Sequence, residues 1–197
     1  MKHSFTLLVG LLLQLAGCTN ELTTSELDHY LANPANGLTR KQEAGELTVE
    51  VTYRPAALVA PYHREDKLLD RHQSQYYLLS ISRKGAEVLD PARGFSAYSS
   101  LLQTLAFRPQ EYMRLTTADG DTLVPSNSIL ERTYGMGAST RILVAFPASA
   151  GEKHPSVVFH LEEFGLQMGN LSFPFEHQDI VDIPPLKPTA TMAGTPK

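Results

Sequence analysis

The sequence predicts a mainly β chain: an antiparallel β-sandwich, Ig-like or a partly closed barrel, with one or two short helices. Three observations predict it. Short segments alternate apolar and polar residues at the period of a strand with one wet face. Turn residues separate them, and 13 prolines and 13 glycines punctuate the 197 residues. Only one internal stretch, Ser96–Phe107, carries a sustained helical period. No fixed-period repeat is visible, so a propeller or solenoid is not expected.

The first element is a leader. Lys2 and His3 precede an apolar run from Phe5 to Leu13, and two small residues follow before Cys18, the single cysteine of the chain. A basic start, a short apolar core and a small-residue cleavage site make a secretory signal peptide over 1–17. The run falls well short of the ~20 apolar residues that span a bilayer. Its ending, Leu15-Ala16-Gly17-Cys18, resembles the lipobox of bacterial lipoproteins. The resemblance implies cleavage before Cys18, whose sulfur then carries diacylglycerol, making Cys18 the lipidation site and the membrane the first partner. It also gives a role to a cysteine that has no partner for an internal disulfide.

Residues 18–43 read as the lipidated N-terminus, a short tether and a brief helix. Thr24 or Ser25 is placed to cap that helix, and Leu27, Tyr30 and Leu31 share one face. Asn33-Pro34 and Asn36-Gly37 end it. A β domain is expected over 44–183. Its clearest strand is Leu47–Tyr53, where Leu47, Val49, Val51 and Tyr53 alternate with Thr48, Glu50 and Thr52. Pro55 to Ala60 suits a helical turn, and His63–His72 is polar around Leu68 and Leu69. Gln75–Arg83 is the second strand, closed by Lys84-Gly85. In Ser96–Phe107, Tyr98, Leu101, Leu102 and Leu105 share a face, Ser96 stands where a cap belongs, and Pro109 stops the helix. Strands follow at Glu111–Thr117, Ser128–Tyr134, Arg141–Phe146 and Ser156–Leu161, with Asp119-Gly120 as a hairpin turn between the first two. The last strand, Leu171–Phe175, contains Pro174, which marks an edge or a bulge. Residues 184–197 form a Pro-rich tail, expected to be disordered from 189 onward.

The segment Asn33-Pro34-Ala35-Asn36-Gly37-Leu38, followed by a strand ending in Tyr53-Arg54-Pro55, resembles a group of Bacteroidota lipoproteins. The resemblance spans most of the mature chain and implies lineage; its motifs carry no known activity.

Charge narrows the partners. Removing Lys2 with the leader leaves 16 of the 17 basic residues against 21 acidic ones, a balance of −5. A mildly acidic chain without a polybasic run lacks what phosphate neutralisation needs, so nucleic acid is not an expected partner. The chemical motifs are thin. Gly94-Phe95-Ser96-Ala97-Tyr98 begins like a nucleophile elbow but has Tyr98 where the final glycine belongs. His63, Glu65 and Asp66 cluster, as do His177 and Asp179, and His160 and Glu162 share a strand face. None has the spacing of a zinc site. Tyr134-Gly135-Met136-Gly137 precedes a strand, whereas a phosphate loop needs a helix N-terminus. Tyr53, Tyr62, Tyr76, Tyr77, Phe173 and Phe175 suit a sugar platform or, more simply, a core.

The expected protein is therefore a membrane-anchored envelope lipoprotein with a non-catalytic binding or structural role and an envelope protein as partner. No cofactor, metal or catalytic residue is expected. Two alternatives stay open: a hydrolase whose residues assemble only in the fold, and a small-ligand carrier with an apolar cavity. Thr19 follows the cysteine where Asp would signal inner-membrane retention, and Thr19-Asn20-Glu21-Leu22 holds one carboxylate rather than an acidic cluster. The lipoprotein resemblance thus implies the outer membrane, with the domain facing the periplasm.

Overall fold

The computed structural model describes residues 21–59, 74–148 and 154–187. Cys18 and the leader, the polar segment from 60 to 73 and the residues beyond 187 lie outside the described residues.

Two antiparallel sheets face each other across one core. The first runs β1 (Thr39–Ala44), β2 (Leu47–Arg54), β3 (Ser74–Arg83), β8 (Thr140–Pro147) and β7 (Asn127–Leu130). The two-residue β4 (Ala86–Glu87) pairs with Ser82 and Arg83 of β3, beyond the point where β8 leaves it. The second sheet runs β10 (Leu171–Glu176), β9 (Ser156–Leu161), β5 (Met113–Thr117) and β6 (Thr122–Leu123). Among the described residues there is no closed barrel, so the architecture is a sandwich.

The alternation read from the sequence sets the inner faces. Leu47, Val49 and Val51 of β2, Tyr77, Leu79 and Ile81 of β3, and Ile142, Val144 and Phe146 of β8 are buried on one side. Met113 and Leu115, Val157, Phe159 and Leu161, and Phe173 and Phe175 meet them from the other. Each such side chain contributes about 1.5–3 kcal/mol by leaving water. β8 is buried on both faces, because Leu143 and Ala145 point outward beneath Val59 of the one-turn helix α2 (Ala56–Val59).

Several elements differ from the sequence reading. The sheet begins at Thr39, before residue 44, since β1 pairs with β2 along its whole length. β1 reads as polar because only Thr39 is buried; its hydroxyl donates to Leu31 O at 2.7 Å and shares a 2.8 Å bond with the buried Thr52. The face of β2 called wet is therefore dry at Thr52. Helix α1 (Thr24–Ala32) is capped one residue earlier than expected, by Thr23 in a capping box with Glu26. Leu27 and Leu31 bury against Leu38 and Leu58, and Leu22 bridges to Leu186, so residues 184–187 belong to the folded body. Helix α3 (Phe95–Phe107) is capped by Gly94, not Ser96, which is exposed in the first turn. The Asp119-Gly120 turn closes a hairpin onto β6, not onto the strand near Ser128, which joins the opposite sheet and ends at Leu130. Pro174 does mark an edge strand. There are four α-helices among the described residues, two of them of five residues or fewer, the second being α4 (His177–Val181).

β1 and β10 close one side of the sandwich through side chains. Arg40 Nε donates to Pro174 O at 2.8 Å and Gln42 Nε2 to Ser172 O at 2.6 Å, which covers the free edge of β10.

Candidate functional site

The chemistry-bearing residues are distributed over four places. On the outer face of the second sheet, His160 of β9 sits between β5 and β10. Its Nε2 lies 2.8 Å from Thr116 Oγ1 and its Nδ1 3.0 Å from Ser172 Oγ. Burial first, and then the Arg114 charge, hold the imidazole below its ordinary value. Glu162, its partner in the sequence reading, is instead ion-paired with Arg114. A Ser–His contact thus exists at Ser172 and His160, but both ring nitrogens end on hydroxyls, and no acid orients the ring as a triad needs.

At one end of the sandwich, His177 and Asp179 lie on α4. Asp179 is 3.7 Å from Arg40, and its carboxylate packs against Gly37. The His177 N–H donates to Pro155 O. His177, His154, Gln75 and Tyr53 line a small cavity of about 50 Å³. His154 Nδ1 is 2.6 Å from Asp119 Oδ2, although the contact is too poorly aligned to count as a hydrogen bond. No three His, Cys, Asp or Glu side chains converge as a metal site among the described residues. His63, Glu65, Asp66 and Tyr62 lie outside them.

Of the aromatic residues that suited a platform or a core, the described ones, Tyr53, Tyr76, Tyr77, Phe173 and Phe175, pack in the core clusters. Tyr77 stacks edge-on with Tyr53, Phe146 and Phe175, and Phe159 with Phe146 and Phe173. Burial pushes the Tyr77 phenol far above its ordinary value, and the hydroxyl donates to Gln75 Oε1 at 3.1 Å.

The fourth place lies at the opposite end, around α3. Sequence reasoning missed the two carboxylates that build it. Glu87, buried in β4, accepts from Thr133 Oγ1, from Gly135 N at 3.2 Å and from Gly137 N at 2.5 Å. The glycine-rich turn 134–137 thus aims its amides at a carboxylate of its own chain. Forty-six or more residues separate these partners, so no local pattern announces them. Glu163 does have a local signal, Glu163-Phe-Gly-Leu-Gln-Met-Gly169. Its two oxygens accept the backbone N–H groups of residues 165 to 169 at 2.6–3.0 Å. Burial pushes this carboxyl up, but the amide donors outweigh burial and leave it below its ordinary value. The two anchored loops flank α3. Between α3 and the 163–169 loop is a cleft of about 390 Å³, with Val88, Leu101, Phe164 and Leu166 as apolar lining and Arg83 and Asp90 as charged lining. Between α3 and the 131–134 segment is a smaller cavity of about 110 Å³.

No known family model, curated protein or solved structure matches this chain. No helix among the described residues is long and apolar enough to cross a membrane. Ser96 is exposed in the first turn of α3, and its carbonyl accepts from Ser99 Oγ at 3.1 Å.

Proposed function

We propose that this protein is a lipid-anchored envelope β-sandwich that works by binding or structural contact rather than by catalysis. The observation that carries the reading is the Leu15-Ala16-Gly17-Cys18 ending behind a short apolar run. The fold supports a short stand-off from the membrane, because Leu22, four residues after Cys18, is already bridged to Leu186. It supports binding over catalysis because the polar groups that resemble active sites are engaged in holding loops and strands together. One acyl chain anchors only marginally, whereas the two or three on a lipoprotein cysteine hold almost permanently.

Cys18→Ala is expected to leave the precursor uncleaved or move the protein out of the membrane fraction. Mass spectrometry of the mature N-terminus decides the point, and an unmodified N-terminus at any residue other than Cys18 refutes it. Thr19 after the cysteine supports the outer membrane, and the single carboxylate in Thr19-Asn20-Glu21-Leu22 supports a domain that faces the periplasm. Protease added to intact cells should then leave it whole, and digestion without permeabilisation refutes that side of the membrane.

The 390 Å³ cleft beside α3 favours one second reading, a small-ligand carrier, since ligand pockets begin at about 300 Å³. A ligand retained through purification and identified by native mass spectrometry would support it.

A further inference from the structure

The small cavity at the end where β2 finishes and β3 starts brings together polar groups that the packing of that end does not use. Tyr53 and Gln75 reach it from the first sheet, and His154, Ser156 and His177 from the second. Pairing of β9 with β10 sets Ser156 opposite Glu176, so His177 follows beside the start of β9. Its N–H donates to Pro155 O at 2.9 Å, and Pro155 stands between His154 and Ser156 in the chain. On the other side of β9, Thr117 of β5 lies opposite Val157, which brings Asp119, two residues further on, to His154.

His154 is only 8% exposed, and Asp119 Oδ2 stands 2.6 Å from its Nδ1, off the line of a hydrogen bond. A carboxylate oxygen at that distance attracts an N–H and repels a lone pair. The proton of the neutral ring therefore belongs on Nδ1, and Nε2 keeps its lone pair on the side away from Asp119. A carboxylate on one ring nitrogen and a metal on the other is the arrangement by which proteins orient metal-binding histidines. Gln75 is already engaged, accepting from Tyr77 and donating to Pro147 O. The His177 and Ser156 side chains make no hydrogen bond or ion pair with any described residue. An Asp119–His154 ion pair kept for stability alone would not account for those two groups facing the same space.

Size and charge select the ligand. The cavity holds about 50 Å³. One water needs about 10–15 Å³, so an ion and two or three waters fit, whereas small organic ligands take about 300 Å³ or more. No Lys or Arg is among the described residues that line it, and the Asp119 carboxylate behind His154 favours a positive charge. Imidazole nitrogens suit Zn²⁺, Cu²⁺ and Ni²⁺, whereas Mg²⁺ and Ca²⁺ require oxygen ligands. We infer that His154 Nε2 and the His177 imidazole bind one divalent cation of the Zn²⁺, Cu²⁺ or Ni²⁺ class. Water completes the coordination, and Ser156 Oγ lies in the same cavity to hydrogen-bond it. Asp119 is a positioning residue, which holds the His154 ring through Nδ1. Two protein ligands make the site, so it lies below the three-residue clusters of His, Cys, Asp or Glu by which metal centres usually announce themselves.

The test titrates Zn²⁺ into the full chain, purified without a histidine tag, by isothermal titration calorimetry. Zn²⁺ should bind at this site, and Mg²⁺ should not displace it. His177→Gln alters a half-buried side chain and should weaken binding by about tenfold or more with the far-UV spectrum unchanged; Asp119→Asn should cost about tenfold. His160→Gln, on the outer face of the second sheet, and the double variant His63→Gln/His72→Gln should leave binding as it is. Cu²⁺ at one equivalent gives a second readout. Its electron spin echo modulation should count two imidazoles in the wild type and one in His177→Gln. A dissociation constant for Zn²⁺ weaker than about 1 mM overturns the inference. So does binding that His177→Gln leaves unchanged, binding lost in His63→Gln/His72→Gln, or a single imidazole on copper in the wild type. If His177→Gln loses its folded spectrum, the imidazole count of the wild type and the Asp119→Asn titration decide.

Discussion

Phe159 is fully buried at the centre of the sandwich, with the rings of Tyr77, Phe146 and Phe173 at 5.7, 5.8 and 6.4 Å. Phe159→Ala removes the ring on which both sheets converge. A buried phenylalanine withdraws about 150–250 Å² from water, worth about 4–6 kcal/mol at 25 cal/mol/Å², and alanine retains a part of that. The surrounding rings come from three different strands, so the site collapses only in part, and core Phe→Ala changes cost about 3–5 kcal/mol. We expect a loss of about 4 kcal/mol. Against a total of about 5–15 kcal/mol this leaves a marginal protein. In urea, with an m-value of about 2 kcal/mol/M, the midpoint should fall by about 2 M. The chain has no tryptophan, so far-UV circular dichroism is the probe. Val158→Ala on the same strand is the reference, because Val158 faces outward opposite Pro174 and is only half-buried. It should cost less than about 1 kcal/mol. Equal losses for the two variants would mean that β9 presents the wrong face to the core, since a one-residue slip exchanges the faces of a strand.

Val49→Asp places an unpaired charge in the core and should abolish the folded far-UV spectrum, whereas Glu50→Lys should fold. The latter sets Lys41 opposite a second lysine, a cost of a few tenths of a kcal/mol readable in the urea midpoint. Gly37→Ala should destabilise by about 1–3 kcal/mol, because φ is +74° and the new Cβ would lie 1.8 Å from Asp179 Oδ2; Asp179→Ala should restore only the part due to the clash. The lowered pKa of His160 means that folding favours its neutral form. That contribution is complete above the ordinary value of 6.5 and is lost as pH falls through the folded-state value. The urea midpoint should therefore decline on acidification below pH 6.5, with a shallower decline in His160→Gln.

The strands of the core were legible because their signal is local. In Leu47–Arg54, Ser74–Arg83 and Ser156–Leu161 the apolar residues recur at every second position, and a pleated backbone converts that period directly into one buried face. The helix at Phe95–Phe107 was legible for the same reason at its own period, and Pro174 declared an edge because it has no N–H to donate. β1 was not legible. Its residues are polar, and it is a strand because β2 offers it a ladder while Thr39 finds Thr52 and Leu31. Leu22 and Leu186 meet only once the segment after α4 returns to the start of α1. The division is sharpest at the two carboxylates. Glu163 and its loop are adjacent in the chain, so their bond is a matter of local geometry. Glu87 reaches Gly135 and Gly137 only because Ala86–Glu87 folds back on the end of β3, next to the point where β8 begins, which brings residues about fifty positions apart into hydrogen-bond range. By itself the sequence determined the inner faces, the helix and the lipobox resemblance at Cys18, all features of neighbouring residues. Tertiary structure decided which charges became internal struts and which apolar residues were left outside, because desolvation and pairing act between segments that meet only in the folded chain.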